Sequence, residues 1–146
     1  PEPLAGATRT VGTDRLDDAL DGADLVVLAL ALTPATTGII DARRLDLLSR
    51  GTWLVNVARG AHVVTDDLVD ALTRGTIGGA GLDVTDPEPL PDGHSFFNHP
   101  KVLITPHVAN PPALKRASFA RHVQENCRRF NRGEPLLGVI ETGRGY

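Results

Sequence analysis

Short apolar runs alternating with amphipathic stretches constrain this chain more than any other feature. Residues 24–32 (DLVVLALAL) are apolar after Asp24 and include β-branched Val26 and Val27. A strand buried in a parallel sheet reads as a continuous apolar run, whereas a half-solvated strand alternates. Residues 52–57 (TWLVNV), 79–84 (GAGLDV) and 102–105 (VLIT) repeat the pattern, and 10–12 make a short strand at most. Parallel neighbours need long crossovers, which the intervals supply. Asp14 is placed to cap a helix over 15–20, with Leu16, Ala19 and Leu20 on one face and Gly22 at its end. Thr33-Pro34 breaks the first long run; Asp41 then caps a helix carrying Leu45 and Leu48, which Gly51 stops. Thr65 is the expected cap of a third helix, with Asp66 and Asp67 in its first turn, Leu68, Val69 and Leu72 inward, and Gly75 after it. A last helix over 112–132 presents Ala113, Ala117, Ala120, Val123, Cys127 and Phe130 at spacings of three and four, and Gly133 ends it. Strands alternating with helices imply an α/β architecture.

An open parallel sheet gathers the carboxyl ends of its strands along one edge, where ligands bind. Arg59, Glu88 and His107 each lie in or just after a different apolar run, so an arginine, a carboxylate and an imidazole can converge there. The long loop after 79–84 is rich in Pro, Asp, Gly and His, and its length favours function over mere connection. A G-x-G-x-x-G turn, whose backbone N–H groups approach a pyrophosphate, occurs nowhere in the 146 residues. Gly78, Gly79 and Gly81 precede an extended run and read as a strand entry. The pattern is that of the second half of a nucleotide-binding domain.

Composition narrows the partners. With 41% apolar and 23% charged residues the chain has a globular balance. A net charge of −3 without a lysine or arginine run argues against nucleic acid or an acidic membrane surface, and points to a small ligand. No apolar run is long enough to span a bilayer, and Pro1-Glu2-Pro3 lacks the features of a secretory segment. The lone Cys127 suits a reducing compartment, so a cytoplasmic location is expected. No Cys/His spacing suggests a metal site, and His62, His94, His99 and His122 receive no functional role.

Four ordered motifs, LALTPATTGII, LVNVARGAHVVTDDLVDAL, GGAGLDVTDPEPLP and HPKVLITPHVAN, resemble the D-isomer-specific 2-hydroxyacid dehydrogenases over nearly the whole chain. The resemblance implies the distal part of a Rossmann-like, doubly wound parallel sheet with a C-terminal crossover helix. Residues 1–110 would be the distal part of a dinucleotide-binding domain, and 111–146 a helix and tail returning toward a substrate domain. Hydride transfer between NAD or NADP and a D-2-hydroxy acid/2-oxo acid pair is the implied activity, in a full-length enzyme that is a homodimer. The isolated chain, lacking the phosphate turn, would be inactive.

Within that resemblance Arg59 would hold the substrate carboxylate and polarise the 2-oxo group, since guanidinium offers a rigid fork of charged donors. His107 would be the acid/base, and Glu88 its partner, favouring the imidazolium. Asp83 matches the family aspartate near the nicotinamide carboxamide, with a purely structural hydrogen bond as the competing reading. Leu32, Thr33, Val57, Ala58, Arg59, His107 and Ala109 would line the cofactor. Two departures stand out: Val108-Ala109-Asn110 follows His107 where glycine or serine is common, and Phe96-Phe97 replaces a Leu-Trp pair. A non-catalytic nucleotide-sensing or corepressor-like module, or an inactive fragment, is the alternative.

Overall fold

The computed structural model describes residues 5–140; Pro1-Glu2-Pro3 and the tail 141–146 lie outside the described residues. Strands β1 (Leu25–Leu28), β2 (Trp53–Asn56), β3 (Gly79–Leu82) and β4 (Val102–Ile104) form one parallel sheet in the order β1-β2-β3-β4. Each crossover moves the chain one strand in the same direction. Crossovers of constant hand then place their helices on a single face. Helix α1 (Leu16–Leu20) precedes the sheet, α2 (Ala42–Leu45) and α3 (Thr65–Arg74) lie between successive strands, and α4 (Pro112–Asn131) follows β4.

The core forms where α2 and α3 cover the sheet. Leu45 and Leu48, from α2 and the turn after it, and Leu68, Ala71 and Leu72 from α3 are buried with Leu28, Leu54, Ala80 and Leu82 of the strands. Each fully buried leucine contributes roughly 1.5–3 kcal/mol, so this layer dominates stability. Asp41 caps α2 as expected, accepting the Arg44 N–H at 2.9 Å. Gly75 closes α3 in the left-handed conformation at φ 68°, which a side chain would disfavour.

Several local expectations are corrected. Thr65 is the first residue of α3 and Val64 holds the cap position, because the Ile40–Val63 bridge delivers the chain into the helix one residue earlier. The Thr65 hydroxyl instead donates to the Asp86 carbonyl. Asp14 lies within a 3-10 turn, Thr13–Arg15, and α1 starts at Leu16 without a side-chain cap. Residues 10–12 form no strand. β1 ends at Leu28, whose carbonyl accepts the Val57 N–H at 3.2 Å, so 29–32 leave the sheet where β2 also ends. Val69 is only partly buried beside the core.

One face of the sheet is open. Leu25 is 57% exposed and Leu103 64%, and Val27 and Trp53 are also exposed, because both crossover helices lie on the opposite side. Trp53 lies across Gly79, whose missing side chain leaves room for the indole. A doubly wound sheet carries helices on both faces; among the described residues only one face carries them. The α4 stripe expected to face a core is likewise uncovered: Ala113, Ala117, Ala120, Val123 and Cys127 are exposed, and Phe130 is 75% exposed.

Asp17 fastens α1 to α2, accepting from Arg43 Nη1 at 2.6 Å, Arg43 Nη2 at 3.1 Å and Arg44 Nε at 2.9 Å. The hydrogen bonds from Arg43 and Arg44 hold its carboxyl down from 3.8 to about 2. A carboxyl depressed on folding stabilises fully above its unfolded value, and that contribution is lost as pH falls through the folded one. Asp17→Asn should therefore be less stable than wild type at neutral pH. Urea melts should converge for the two proteins as pH falls from 3.8 to about 2; a constant gap would detach Asp17 from the acid response.

Candidate active site

All four strands deliver their carboxyl ends to one edge, and buried polar side chains shape the loops that leave it. Asn56, the last residue of β2, is buried; its Nδ2 donates to the Arg59 carbonyl at 2.8 Å and its Oδ1 accepts the Ala58 N–H at 3.0 Å. This closes the turn from which Arg59 projects. The Arg59 guanidinium donates through Nη1 to the Ala58 carbonyl at 2.6 Å. At Gly60 a Cβ would overlap the Thr85 carbonyl, so glycine lets the loops after β2 and β3 touch.

Asp83, directly after β3, is buried, and both oxygens serve the loop after β4. Oδ1 accepts from the Thr105 hydroxyl and from the Val108 N–H at 2.8 Å, and Oδ2 accepts the Ala109 N–H at 2.8 Å. Burial pushes this carboxyl up, but the bonds from Thr105, Ala109 and Val108, with the His107 charge, outweigh it and hold it below the usual range. The loop so held carries His107 at φ 55°, a left-handed conformation that residues other than glycine rarely adopt.

His107 Nδ1 lies 2.8 Å from Glu88 Oε1, with both side chains about half exposed. Nδ1, and not Nε2, is the ring nitrogen in this contact. The pair opens into a cavity of about 420 Å³ whose lining includes Asp83, Leu90, Phe97 and Thr105. Arg59, Leu32, Val57 and Ala58 line a separate hollow of about 470 Å³ at the ends of β1 and β2. Thr33 is buried in its own turn, where its N–H donates to Thr36 Oγ1 at 2.8 Å. Ala109 and Val57 also border a third, mainly apolar hollow of about 330 Å³ with Val55, Gly81, Leu103 and Val108. Thus the structure joins Glu88 to His107 and Asp83 to Ala109, and sets Arg59 with Leu32, Val57 and Ala58. No group of three or more potential metal ligands occurs among the described residues.

Sequence reasoning passed over Asn56, Gly60, Thr105 and His62. A polar Asn56 inside an apolar run was a usable signal, because a buried amide needs partners. His62 carried none, since its contact with Ala31 arises only when separate loops meet. It lies fully buried between two backbone carbonyls.

A parallel sheet with an imidazole–carboxylate pair and an arginine at its carboxyl edge defines an α/β cofactor-binding domain. Residues 3–109 match the model of the "D-isomer specific 2-hydroxyacid dehydrogenase, NAD binding domain", and the chain belongs to that family. It is 39% identical over 147 residues to a glyoxylate/hydroxypyruvate reductase A of Photorhabdus laumondii, covering all of this chain and 46% of that protein. The reductase A of Serratia proteamaculans is 38% identical over 146 residues, with the same coverage. Among solved structures, a D-isomer specific 2-hydroxyacid dehydrogenase from Xanthobacter autotrophicus Py2, in complex with NADPH and MES, superposes with a TM-score of 0.87. The two are 41% identical, over all of this chain and 60% of that one. An NADPH-dependent glyoxylate/hydroxypyruvate reductase from Sinorhizobium meliloti, in complex with NADP and sulfate, gives a TM-score of 0.80 at 38% identity, over 93% of this chain and 44% of that one. The chain spans about half the length of the curated relatives it matches. No helix among the described residues is long and apolar enough to cross a membrane.

Because Asp83 serves three donors, Asp83→Asn should loosen the His107 loop. The amide keeps one acceptor oxygen and turns an NH2 toward a donor, so stability should fall by about 1–3 kcal/mol. Chemical denaturation of the two proteins checks this; equal midpoints would mean that the loop does not depend on the carboxylate.

Proposed function

We propose that residues 1–110 are the distal part of the cofactor-binding domain, and 111–146 the returning helix and tail, of an oxidoreductase acting on D-2-hydroxy acid/2-oxo acid pairs with NAD or NADP. The Glu88–His107 contact of 2.8 Å at the sheet's carboxyl edge carries this reading. The substrate class is that named for the relatives, glyoxylate and hydroxypyruvate. The complexes with NADPH and NADP among related structures support NADP as one cofactor.

In this reading Arg59 grips the substrate carboxylate through its planar fork. His107 gives a proton from Nε2 to the 2-oxo oxygen during reduction and takes it back during oxidation, while Glu88 faces Nδ1 and stabilises the imidazolium. Asp83 holds the loop that presents the imidazole. Asp83, His107 and Ala109 would hold the nicotinamide end of the cofactor, and Leu32, Thr33, Val57, Ala58 and Arg59 would line its nicotinamide and adenosine ends. The apolar hollow of Val55, Gly81, Leu103 and Val108 suits a flat ring, and Asp83 Oδ2, which accepts from the Ala109 N–H, keeps acceptor capacity for a carboxamide N–H. Bound cofactor supplies the hydride. Its pyrophosphate finds no glycine-rich cradle in these 146 residues. The open sheet face and the exposed side of α4 are where the remainder of a complete enzyme would pack, and we place that enzyme as a homodimer in the cytoplasm.

The test supplies the amino-terminal half, from the DNA preceding the Pro1 codon or from the Serratia relative, and follows oxidation of NADPH and NADH with a panel of 2-oxo acids. Turnover with glyoxylate or hydroxypyruvate is expected. Cofactor binding without turnover would favour the sensing or corepressor-like reading. In the active enzyme Arg59→Lys keeps the charge but loses the fork, so catalytic efficiency toward the 2-oxo acid should fall at least about tenfold with cofactor binding nearly intact. Unchanged kinetics would remove Arg59 from the site.

The Glu88–His107 pair makes a further prediction. Reduction needs the imidazolium and oxidation the neutral ring, so the two directions depend oppositely on one proton. Glu88→Gln removes the charge that favours the imidazolium. Without that partner the ring loses its 2.8 Å contact with a carboxylate at Nδ1, and catalytic efficiency toward the 2-oxo acid should fall. Steady-state kinetics in both directions check this, and efficiencies equal to wild type would uncouple Glu88 from the catalytic proton.

A further inference from the structure

His62 ends the short 3-10 turn that follows Arg59, and its imidazole is 0% exposed. Nδ1 lies 2.9 Å from the Arg59 carbonyl and Nε2 lies 3.3 Å from the Ala31 carbonyl. Carbonyl oxygens only accept, so each contact is a hydrogen bond when that ring nitrogen carries a proton. A neutral ring has one such proton, which suits the shorter contact; an imidazolium has two and closes both. The Arg59 carbonyl also accepts the His62 backbone N–H at 3.2 Å and Asn56 Nδ2 at 2.8 Å, so three donors converge on one oxygen. Ala31 belongs to the segment that leaves β1, and Arg59 to the one that leaves β2. The hollow lined by both is the one that Arg59 faces.

A buried polar ring is costly unless it is hydrogen-bonded, and an aliphatic side chain would fill the same space without that requirement. Here the ring lies between two strand-end segments whose ladder stops at Leu28 and Asn56 and which meet again in the backbone at Gly38–Ala61 and Ile40–Val63. We propose that His62 is a positioning residue for the 2-oxo acid site: its Nδ1–H anchors the Arg59 carbonyl while its ring packs against the Ala31 segment, and so it sets where the guanidinium meets the substrate carboxylate. This rests on the reading of Arg59 as the carboxylate clamp.

The experiment compares His62→Leu and His62→Asn with Arg59→Lys in the complete enzyme. Asn offers an amide N–H near the Nδ1 position and can keep the Arg59 anchor, whereas Leu fills the volume and keeps no donor. His62→Leu should lower kcat/KM for the 2-oxo acid by about tenfold to a hundredfold, because a misplacement of about 1 Å can cost ~100-fold. His62→Asn should recover most of that loss. If Leu retains as much efficiency as Asn, His62 acts through packing alone and the proposal is overturned. Arg59→Lys separates the two readings: if it leaves the kinetics unchanged, the clamp itself fails, and His62 loses its role with it. Should neither His62 variant fold, nuclear magnetic resonance of the wild-type 146-residue chain decides. A slowly exchanging Nδ1–H coupled to the Arg59 carbonyl is expected, and an unprotonated Nδ1 would overturn the anchor.

Discussion

Every strand in this sheet runs the same way, and the rest of the molecule follows from that constraint. A parallel ladder cannot be closed by tight turns, so each strand is followed by a crossover. The four strands therefore release their chains at one edge. Arg59, Asp83 and the His107 loop are brought to that edge by backbone direction alone, before any side chain meets another. The order β1-β2-β3-β4 also places α2 and α3 together on one face and leaves Leu25, Val27, Trp53 and Leu103 uncovered on the other.

Direction brings the loops together, but buried polar groups give them their shape. Asp83 takes three donors from the loop after β4, and Asn56 turns the chain between β2 and Arg59. His62 reaches from that turn to the end of β1. Each of these side chains serves main-chain groups, which regular structure leaves unsatisfied at strand ends. The proposed chemistry falls to more exposed groups, the Glu88–His107 pair and Arg59, which project from the loops that the buried ones shape. A loop so restrained can keep His107 in a left-handed conformation that an unsupported loop would relax.

The long apolar runs, the stops at Gly75 and Gly133 and the last helix are present, because apolar runs and glycine stops act locally, whereas α2 ends at Leu45, well before the expected stop at Gly51. Capping proved less local. Thr65 had the composition of a cap, yet a bridge between Ile40 and Val63 moved the helix start and gave its hydroxyl to Asp86. Strand length failed for a similar reason: 29–32 are as apolar as 25–28, but a strand persists only while a neighbour can bond it. The sequence also suggested burial on both faces, since it records how apolar a strand is and not which elements cover it.

The sequence by itself determined the α/β class, the approximate strands and the Glu88, His107 and Arg59 candidates, since residue type and periodicity are properties of short segments. Only the tertiary structure decided that Glu88 meets His107, that Asp83 holds the loop after β4, and that His62, without any distinguishing neighbour in the chain, lies between Arg59 and Ala31. The physical reason is range. A hydrogen bond of 2.8 Å depends on where two distant segments end, and that depends on sheet order and register, which no local pattern contains.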